Sequence, residues 1–383
     1  MVLILLYMSV SKNIIGNIVL GVFILFSIVI MYQHKYRYFE VKKLKGSFIE
    51  IEKPKLNWSN WISGAYQKQK TKYIKEKFGF RNSFVRVHNQ VAYSFFSKAK
   101  ANGVIVGKEG YLYELQYIKS YYGTNFVGKD SIVNHVNRIK AITDTLNKLG
   151  KELIVVIAPG KGCFYPEFIP EKYHQENPVT NYEVYYKNLQ MNRIKAIDFN
   201  KWFVENKNKS QYPLYPKTGI HWSVYGETFA MDSIVRFIEK HKGKSMVTAD
   251  LNVQFEDTLQ YTDNDIERGM NLFYDINNFK MAYPKQIKFY EEGKYKPNLL
   301  MLADSFFWGV YGRGIAGRYF SKIQFWYYNK KVHESGFNER DASAIDMAKA
   351  IDQTDYIILL STEANLHRLN YGFIERLYKH FYK

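Results

Sequence analysis

A single cysteine, Cys163, stands among 383 residues, so no intramolecular disulfide can staple this chain. The nine histidines include no pair spaced H-x-H or H-x-x-x-H, the arrangements that let two imidazoles share an ion, which argues against a metal site. No cofactor is called for. There is no internal repeat, no low-complexity tract, and no nucleic-acid recognition motif to accompany the net charge of +18. That charge would by itself fit nucleic acid, an anionic membrane or an acidic polysaccharide. Its distribution is more informative, because acids are scarce from residue 33 to 80: twelve Lys or Arg face four acids, Glu40, Glu50, Glu52 and Glu76. The excess follows an apolar run, so a basic face near anionic headgroups is expected and a nucleic-acid partner is not.

Charge is missing altogether from Asn13 to Tyr32, a stretch filled by residues such as Ile14, Ile18, Leu20, Phe23, Leu25 and Ile30. About 20 apolar residues suffice to cross a bilayer as a helix. No small-residue cleavage site follows, since Tyr32, Gln33, His34 and Lys35 come next, and a retained anchor is expected. The resulting division is a tail at 1–12, a transmembrane anchor at 13–32, a basic membrane-proximal connector at 33–70 and one domain at 71–383. The basic residues after the span would hold the body in the cytoplasm by the positive-inside rule, although a long following domain can translocate against such a bias.

What is abundant is apolar and aromatic: 46% of residues are hydrophobic, with 33 Tyr, 27 Phe and 6 Trp, enough for a large core. The aromatic excess fits faces presented to sugars and equally fits an A/T-rich codon bias. Residues 130–149 place Ile132, Val136, Ile139, Ile142 and Leu146 at helical spacing, with Gly150 as a stop. Leu153 to Ala158 reads as a buried strand, and the pattern recurs: short strand at 196–199, helix at 223–241 capped by Ser223, strand at 299–303, helix at 342–351, strand at 356–360. Alternation of this kind indicates a mostly parallel sheet flanked by helices.

The apolar run Leu299 to Ala303 empties into Asp304, Ser305 and Phe306. A serine just past a buried strand is either a helix N-cap or a nucleophile held at a sharp turn, where following N–H groups can stabilise an oxyanion. Thr218-Gly219-Ile220-His221-Trp222-Ser223 offers a histidine at another loop-to-helix junction, either a structural residue beside Trp222 or a general base. Lys161, in the loop after the 153–158 strand, either lines such a site, caps a helix or faces solvent. Trp308 and Tyr311 are expected to pack the nucleophile's helix, and Arg81 and Asn89 to hold the N-terminal segment. The stretch around Glu256, Tyr261, Asp263 and Asp265 reads as an insertion or lid with no assignable chemistry.

Five motifs in this order resemble a known family. Phe78-Gly79-Phe80-Arg81-Asn82 with Asn89, Val104 to Tyr113, Ile157-Ala158-Pro159-Gly160-Lys161 with Tyr165-Pro166-Glu167, the block Lys217 to Gly226, and Asp304-Ser305-Phe306 are similar to the SGNH-hydrolase-like domain of the AlgX and AlgJ alginate O-acetyltransferases. The likeness covers roughly residues 70 to 383. It implies an α/β fold, a circularly permuted SGNH-hydrolase-like three-layer α/β/α body with a mostly parallel sheet, here preceded by one transmembrane helix. It also implies a body on the outer, periplasmic side of the cytoplasmic membrane, transfer of acetyl groups onto an exported polysaccharide, and an acetyl donor of the MBOAT membrane acyltransferase type. Ser305 would be the nucleophile and His221 its base, with Asp304, Trp222 and Lys161 in support. The chain looks like the shorter, anchored branch, without a separate carbohydrate-binding domain.

The chain departs from the family at Gly219, where the resemblance expects an aspartate that orients the histidine. Either another carboxylate takes its place, with Asp304, Asp198 and Asp232 as candidates, or a backbone carbonyl holds His221 in a Ser-His dyad, or the site is degenerate. The leading expectation is a polysaccharide O-acetyltransferase working through an acetyl-serine. The alternatives are an acetyl-esterase, which shares the acyl-enzyme, and a non-catalytic polysaccharide-binding or assembly subunit.

Overall fold

The computed structural model describes residues 2–46, 51–176, 178–334, 336 and 338–382. They divide into two compact units, the first comprising residues 1–100 and 268–275, the second residues 101–267 and 276–383.

Four helices make up most of the first unit: α1 (Val2–Tyr36), α2 (Trp58–Ile62), α3 (Ala65–Lys77) and α4 (Arg81–Phe96). α1 contains an uncharged stretch long and apolar enough to cross a membrane, and Ile14, Ile18, Phe23 and Leu25 on it are exposed. The segment expected at 33–70 as a basic connector includes α2 and the start of α3; Glu50, counted among its acids, lies outside the described residues. At the corner after α3, a Cβ on Gly79 would lie 2.4 Å from Ile30 O, so only glycine allows the turn to approach α1 this closely. Arg81 closes that corner through Glu76 and Lys75 O, whereas Asn89 ties α4 to Met270 O at 2.8 Å.

The second unit is built on seven strands. In chain order they are β1 (Glu152–Ala158), β2 (Ala196–Asp198), β3 (Asn298–Ala303), β4 (Lys322–Tyr327), β5 (Lys331–His333), β6 (Glu339–Asp341) and β7 (Tyr356–Thr362). Their spatial order is β6-β5-β4-β3-β7-β1-β2, with β4, β3, β7, β1 and β2 parallel and the edge strands β5 and β6 antiparallel. The central strands are apolar end to end because both faces are covered. On one face Leu153, Val155, Ile157, Leu300, Leu302, Ile357 and Leu359 join a core with helix α5 (Lys129–Lys148), helix α6 (Asn181–Met191) and the C-terminal helix Phe373–Tyr382. Ile132, Val136, Ile139, Ile142 and Leu146 of α5 are fully buried there, each contributing about 1.5–3 kcal/mol of gross transfer free energy. Gly150, at a φ of 72°, ends that segment as expected. The alternate residues Ile154, Val156, Met301, Ile358 and Leu360 are equally buried, so the sheet is the middle of three layers.

This topology lines up the C-terminal ends of β3, β7 and β1, with Ala303 beside Leu360 and Thr362 beside Ala158. Between β2 and β3 the chain forms helix α7 (Phe199–Asn206), helix α8 (Val224–Lys242) and an antiparallel ribbon, Thr248–Glu256 with Met281–Tyr290. Ser223 caps α8 by accepting from Gly226 N at 2.9 Å, as its position predicts.

Candidate active site

β3 ends at Asp304, whose carboxylate is fully engaged. Oδ1 accepts from Phe306 N at 3.1 Å, and Oδ2 accepts from Thr362 N at 2.8 Å, Thr362 Oγ1 at 2.8 Å and Asn365 Nδ2 at 2.9 Å. These bonds fasten the end of β3 to the end of β7. Ser305, the first residue past the sheet, is left partly exposed at the start of a 3-10 turn. The N–H of Phe306 is thereby spent on Asp304 and is not free for an oxyanion.

Tyr328 stands at the same spot from the other side, in the tight turn between β4 and β5. Burial and the Asp304 charge push its hydroxyl up to about 12, while hydrogen bonds to the side chain and backbone of Ser305 act the other way. Tyr328 and Asn329 both have positive φ, 51° and 52°. A bulky residue in that region is strained, a condition that surrounding structure must impose.

His221 comes from the loop between α7 and α8. Its Nε2 lies 2.9 Å from Ser305 Oγ, and its Nδ1 lies 2.7 Å from Asp265 Oδ2. A carboxylate only accepts, so Nδ1 carries the ring proton and Nε2 faces the serine hydroxyl as an acceptor. The imidazole is 14% exposed, open enough to reach a ligand yet sheltered. Burial pulls its pKa down, and the Asp265 hydrogen bond and charge, with the Glu227 and Asp304 charges, more than reverse this, leaving it raised above 6.5. For Asp265, burial acts upward, but His221, the Ile220 N–H and the Lys161 charge hold the carboxyl below its ordinary 3.8.

Asp265 corrects the sequence reading, which assigns this stretch no chemistry. The three aspartates expected as substitutes do other work: Asp304 braces the serine turn, Asp198 caps α7 through Lys201 N and accepts from Tyr182, and Asp232 pairs with Arg236 at 3.6 Å. Asp265 also accepts from Ile220 N at 2.9 Å, so it holds both the ring and the backbone of the histidine turn. Gly219 belongs to the same arrangement. A Cβ there would sit 2.4 Å from Thr262 O and 2.8 Å from Asp263 O. Glycine at 219 is what lets the segment carrying Asp265 pass this close.

Trp222 and Lys161 serve as buttresses. The Trp222 indole is buried among Phe199, Phe203 and Phe306 and donates to Phe306 O at 3.1 Å, joining the histidine turn to the serine turn. Lys161 neither lines the site nor faces solvent. It is completely buried, because the loop after β1 tucks under the histidine turn, and its ammonium donates to Lys217 O at 2.8 Å and to Gly219 O. Burial lowers its pKa to about 7, the Asp265 and Asp263 charges working against that fall. Trp308 and Tyr311 pack on Phe325 and His333, the structural role expected of them.

Tyr328 and Asn365, which touch Ser305 and Asp304, also line a cleft of about 880 Å³ with His135, Arg138, Arg368 and Tyr371.

A serine past the end of a parallel strand, with a histidine on its hydroxyl and a carboxylate behind that ring, is the constellation of a serine acyl-transfer or hydrolase site. Residues 104–280 match the family model described as SGNH hydrolase-like domain, acetyltransferase AlgX, and over that stretch the chain is similar to the AlgX/AlgJ-like group. A curated relative, the probable alginate O-acetylase AlgJ of Pseudomonas syringae pv. tomato, is 20% identical over 173 residues, 45% of this chain and 42% of its own. The chain thus spans about two fifths of that relative's length. Among solved structures, the O-acetyltransferase domain of Pseudomonas putida AlgJ has 15% identity and a TM-score of 0.47, over 73% of this chain and 99% of that one. Pseudomonas aeruginosa AlgX has 12% identity and a TM-score of 0.43, over 74% and 71%. Bacillus cereus PatB1 has 14% identity and a TM-score of 0.40, over 62% and 91%.

Proposed function

We propose that this chain O-acetylates a polysaccharide by way of an acetyl-Ser305 intermediate. The observation that carries the reading is the continuous Ser305–His221–Asp265 hydrogen-bond chain, 2.9 Å and then 2.7 Å. In the first half-reaction His221 Nε2 takes the Ser305 proton as Oγ bonds to the carbonyl carbon of an acetyl donor. The imidazolium then returns that proton to the departing donor group as its bond to the acetyl carbon breaks. In the second half, a sugar hydroxyl loses its proton to Nε2, attacks the acetyl carbon and displaces Ser305 Oγ, which recovers the proton. Asp265 keeps Nδ1 protonated and stabilises the imidazolium in both halves. The oxyanion is supported by the Tyr328 hydroxyl, which is already in contact with Ser305 at this turn.

The acceptor hydroxyl enters through the cleft that Tyr328 shares with Asn365, whose rim mixes tyrosine rings with Arg138 and Arg368. α1 anchors the protein in the cytoplasmic membrane with the body on the periplasmic side, and the acetyl group comes from an MBOAT-type membrane partner, as the family resemblance suggests. An esterase would use the same acyl-enzyme with water as acceptor. The non-catalytic alternative loses its motive, since Asp265 occupies the place behind His221 that Gly219 left in doubt.

The test is to incubate the full chain with an aryl acetate and analyse the Ser305 peptide by mass. One added acetyl group, missing in Ser305→Ala, is expected, with transfer to an oligosaccharide when one is supplied. Absence of both turnover and labelling would overturn the reading, and label lost only to water would make the protein an esterase.

A further inference from the structure

The 217–221 turn that presents His221 has its carbonyls bound from beneath. Lys217 O accepts from Leu112 N at 3.1 Å as well as from Lys161, Thr218 O accepts from Glu267 N at 3.3 Å, and Gly219 O accepts from Lys161. The Lys161 ammonium grips two of these carbonyls at once. It sits at the start of the short helix Lys161–Phe164 immediately after β1, so it is mounted on the sheet that also carries Ser305. A lysine that is 0% exposed carries a heavy desolvation cost and persists in a fold only where its donors and charge are matched. Here two donors meet carbonyls, the ammonium lies over the Tyr113 ring at 5.8 Å, and the facing charges are Asp263 and Asp265.

The aspartate behind His221 is not covalently close to it. Asp265 arrives from the segment joining the two strands of the ribbon, 44 residues away, and must meet a turn whose own position is set independently. Two loops that are mobile relative to each other would not hold a 2.7 Å contact. We infer that Lys161 is a positioning residue for the reaction: by clamping Lys217 O and Gly219 O to the end of β1 and setting its charge beside Asp265, it fixes the histidine turn where Asp265 and Ser305 can both reach the imidazole. The inference rests on the acyl-transfer reading of the site. A misplacement of about 1 Å costs on the order of 10²-fold in rate.

The test uses the full chain with Lys161→Met, which keeps the stem and removes the donors and charge, and Lys161→Arg as the conservative rescue. For Lys161→Met, kcat for aryl acetate turnover should fall about 10²-fold with KM changed less than about threefold. The acid limb of its pH–rate profile should move to lower pH. That direction follows because the Asp265 contact is what raises His221 against burial, with Glu227, Asp304 and Glu114 as further charges facing the ring. In proton NMR the downfield His221 Nδ1–H resonance should weaken, and Lys161→Arg should restore part of the rate and the limb. A merely structural loss would scale kcat at every pH and leave the limb in place. Unchanged kcat and limb in Lys161→Met overturn the inference. If that variant does not fold, Lys161→Leu, which likewise lacks donors and charge, replaces it with the same two outcomes. A wild-type chain that neither turns over acetate nor labels at Ser305 defeats the function reading, while the His221 resonance still tests the clamp.

Discussion

Asp265 Oδ2 lies 2.7 Å from His221 Nδ1 across 44 residues of sequence, although the position where the family resemblance leads one to expect this carboxylate, two residues before the histidine, is Gly219. The carboxylate comes from another loop, and the glycine is the space that loop needs. Asp265→Asn keeps the shape but leaves Nδ1 facing a group that can donate, so the ring is no longer held in one tautomer. kcat for aryl acetate should drop by about 10²–10⁴ with thermal stability nearly unchanged.

Gly219→Asp, which supplies the aspartate that the resemblance leads one to expect, should fail to rescue that variant. Its Cβ would meet Thr262 O at 2.4 Å, and forced displacement of a packed backbone costs about 1–3 kcal/mol. Gly219→Ala alone should lower both the melting temperature and kcat. Wild-type activity in either protein would show that the 262–265 segment gives way freely.

The pH dependence has a defined sign. His221 must be neutral to act as base, and its pKa is raised above 6.5, so the acid limb of kcat/KM should lie above pH 6.5. For stability, a raised His221 contributes fully below its unfolded value and loses that contribution as pH rises through the folded one. Asp265, lowered below 3.8, contributes above its unfolded value and loses it as pH falls through the folded one. The pair therefore stabilises the fold most between those limits. Denaturant melts from pH 4 to 9 check this, with Asp265→Asn flattening the profile.

Tyr328→Phe removes one hydroxyl and should lower kcat about 10²–10³-fold with KM little changed, the signature of a donor used chiefly on the developing oxyanion. An equal rise in KM would make Tyr328 a ground-state contact instead.

Beneath the site, Glu227 is 3% exposed and pairs with Arg313 at 2.6 Å, packed against Gly309. Burial raises Glu227 to about 7, with Arg313 and His221 opposing. A carboxyl raised in the fold favours the protonated state, so its cost to stability develops as pH climbs from 4.5 through 7. Arg313→Met removes the partner and should destabilise by about 3–5 kcal/mol at pH 8. The loss should be much smaller at pH 5, as read from urea midpoints.

Much of this was legible in one dimension. The helical spacing of Ile132 to Leu146 and the uninterrupted apolar runs of β1, β3 and β7 reveal themselves because each obeys a local period set by burial on one face or two. Ser305 stands out as a polar residue where such a run ends, and His221 as a histidine at a loop-to-helix junction. Tyr328 and Asp265 do not, since each lies in a turn or linking segment with no period, and its partner is distant. Lys161 reads as a loop lysine that lines a site, caps a helix or faces solvent, because nothing in its neighbours tells that the turn at 217–219 will cover it.

Sequence by itself determined the layers, the mostly parallel sheet and the two candidate residues Ser305 and His221, for these follow from periodicity and from where elements stop and start. Tertiary structure alone decided which carboxylate stands behind His221 and why Lys161 is buried. Both depend on the close approach at Gly219, where the absence of a side chain permits a contact that no local pattern encodes.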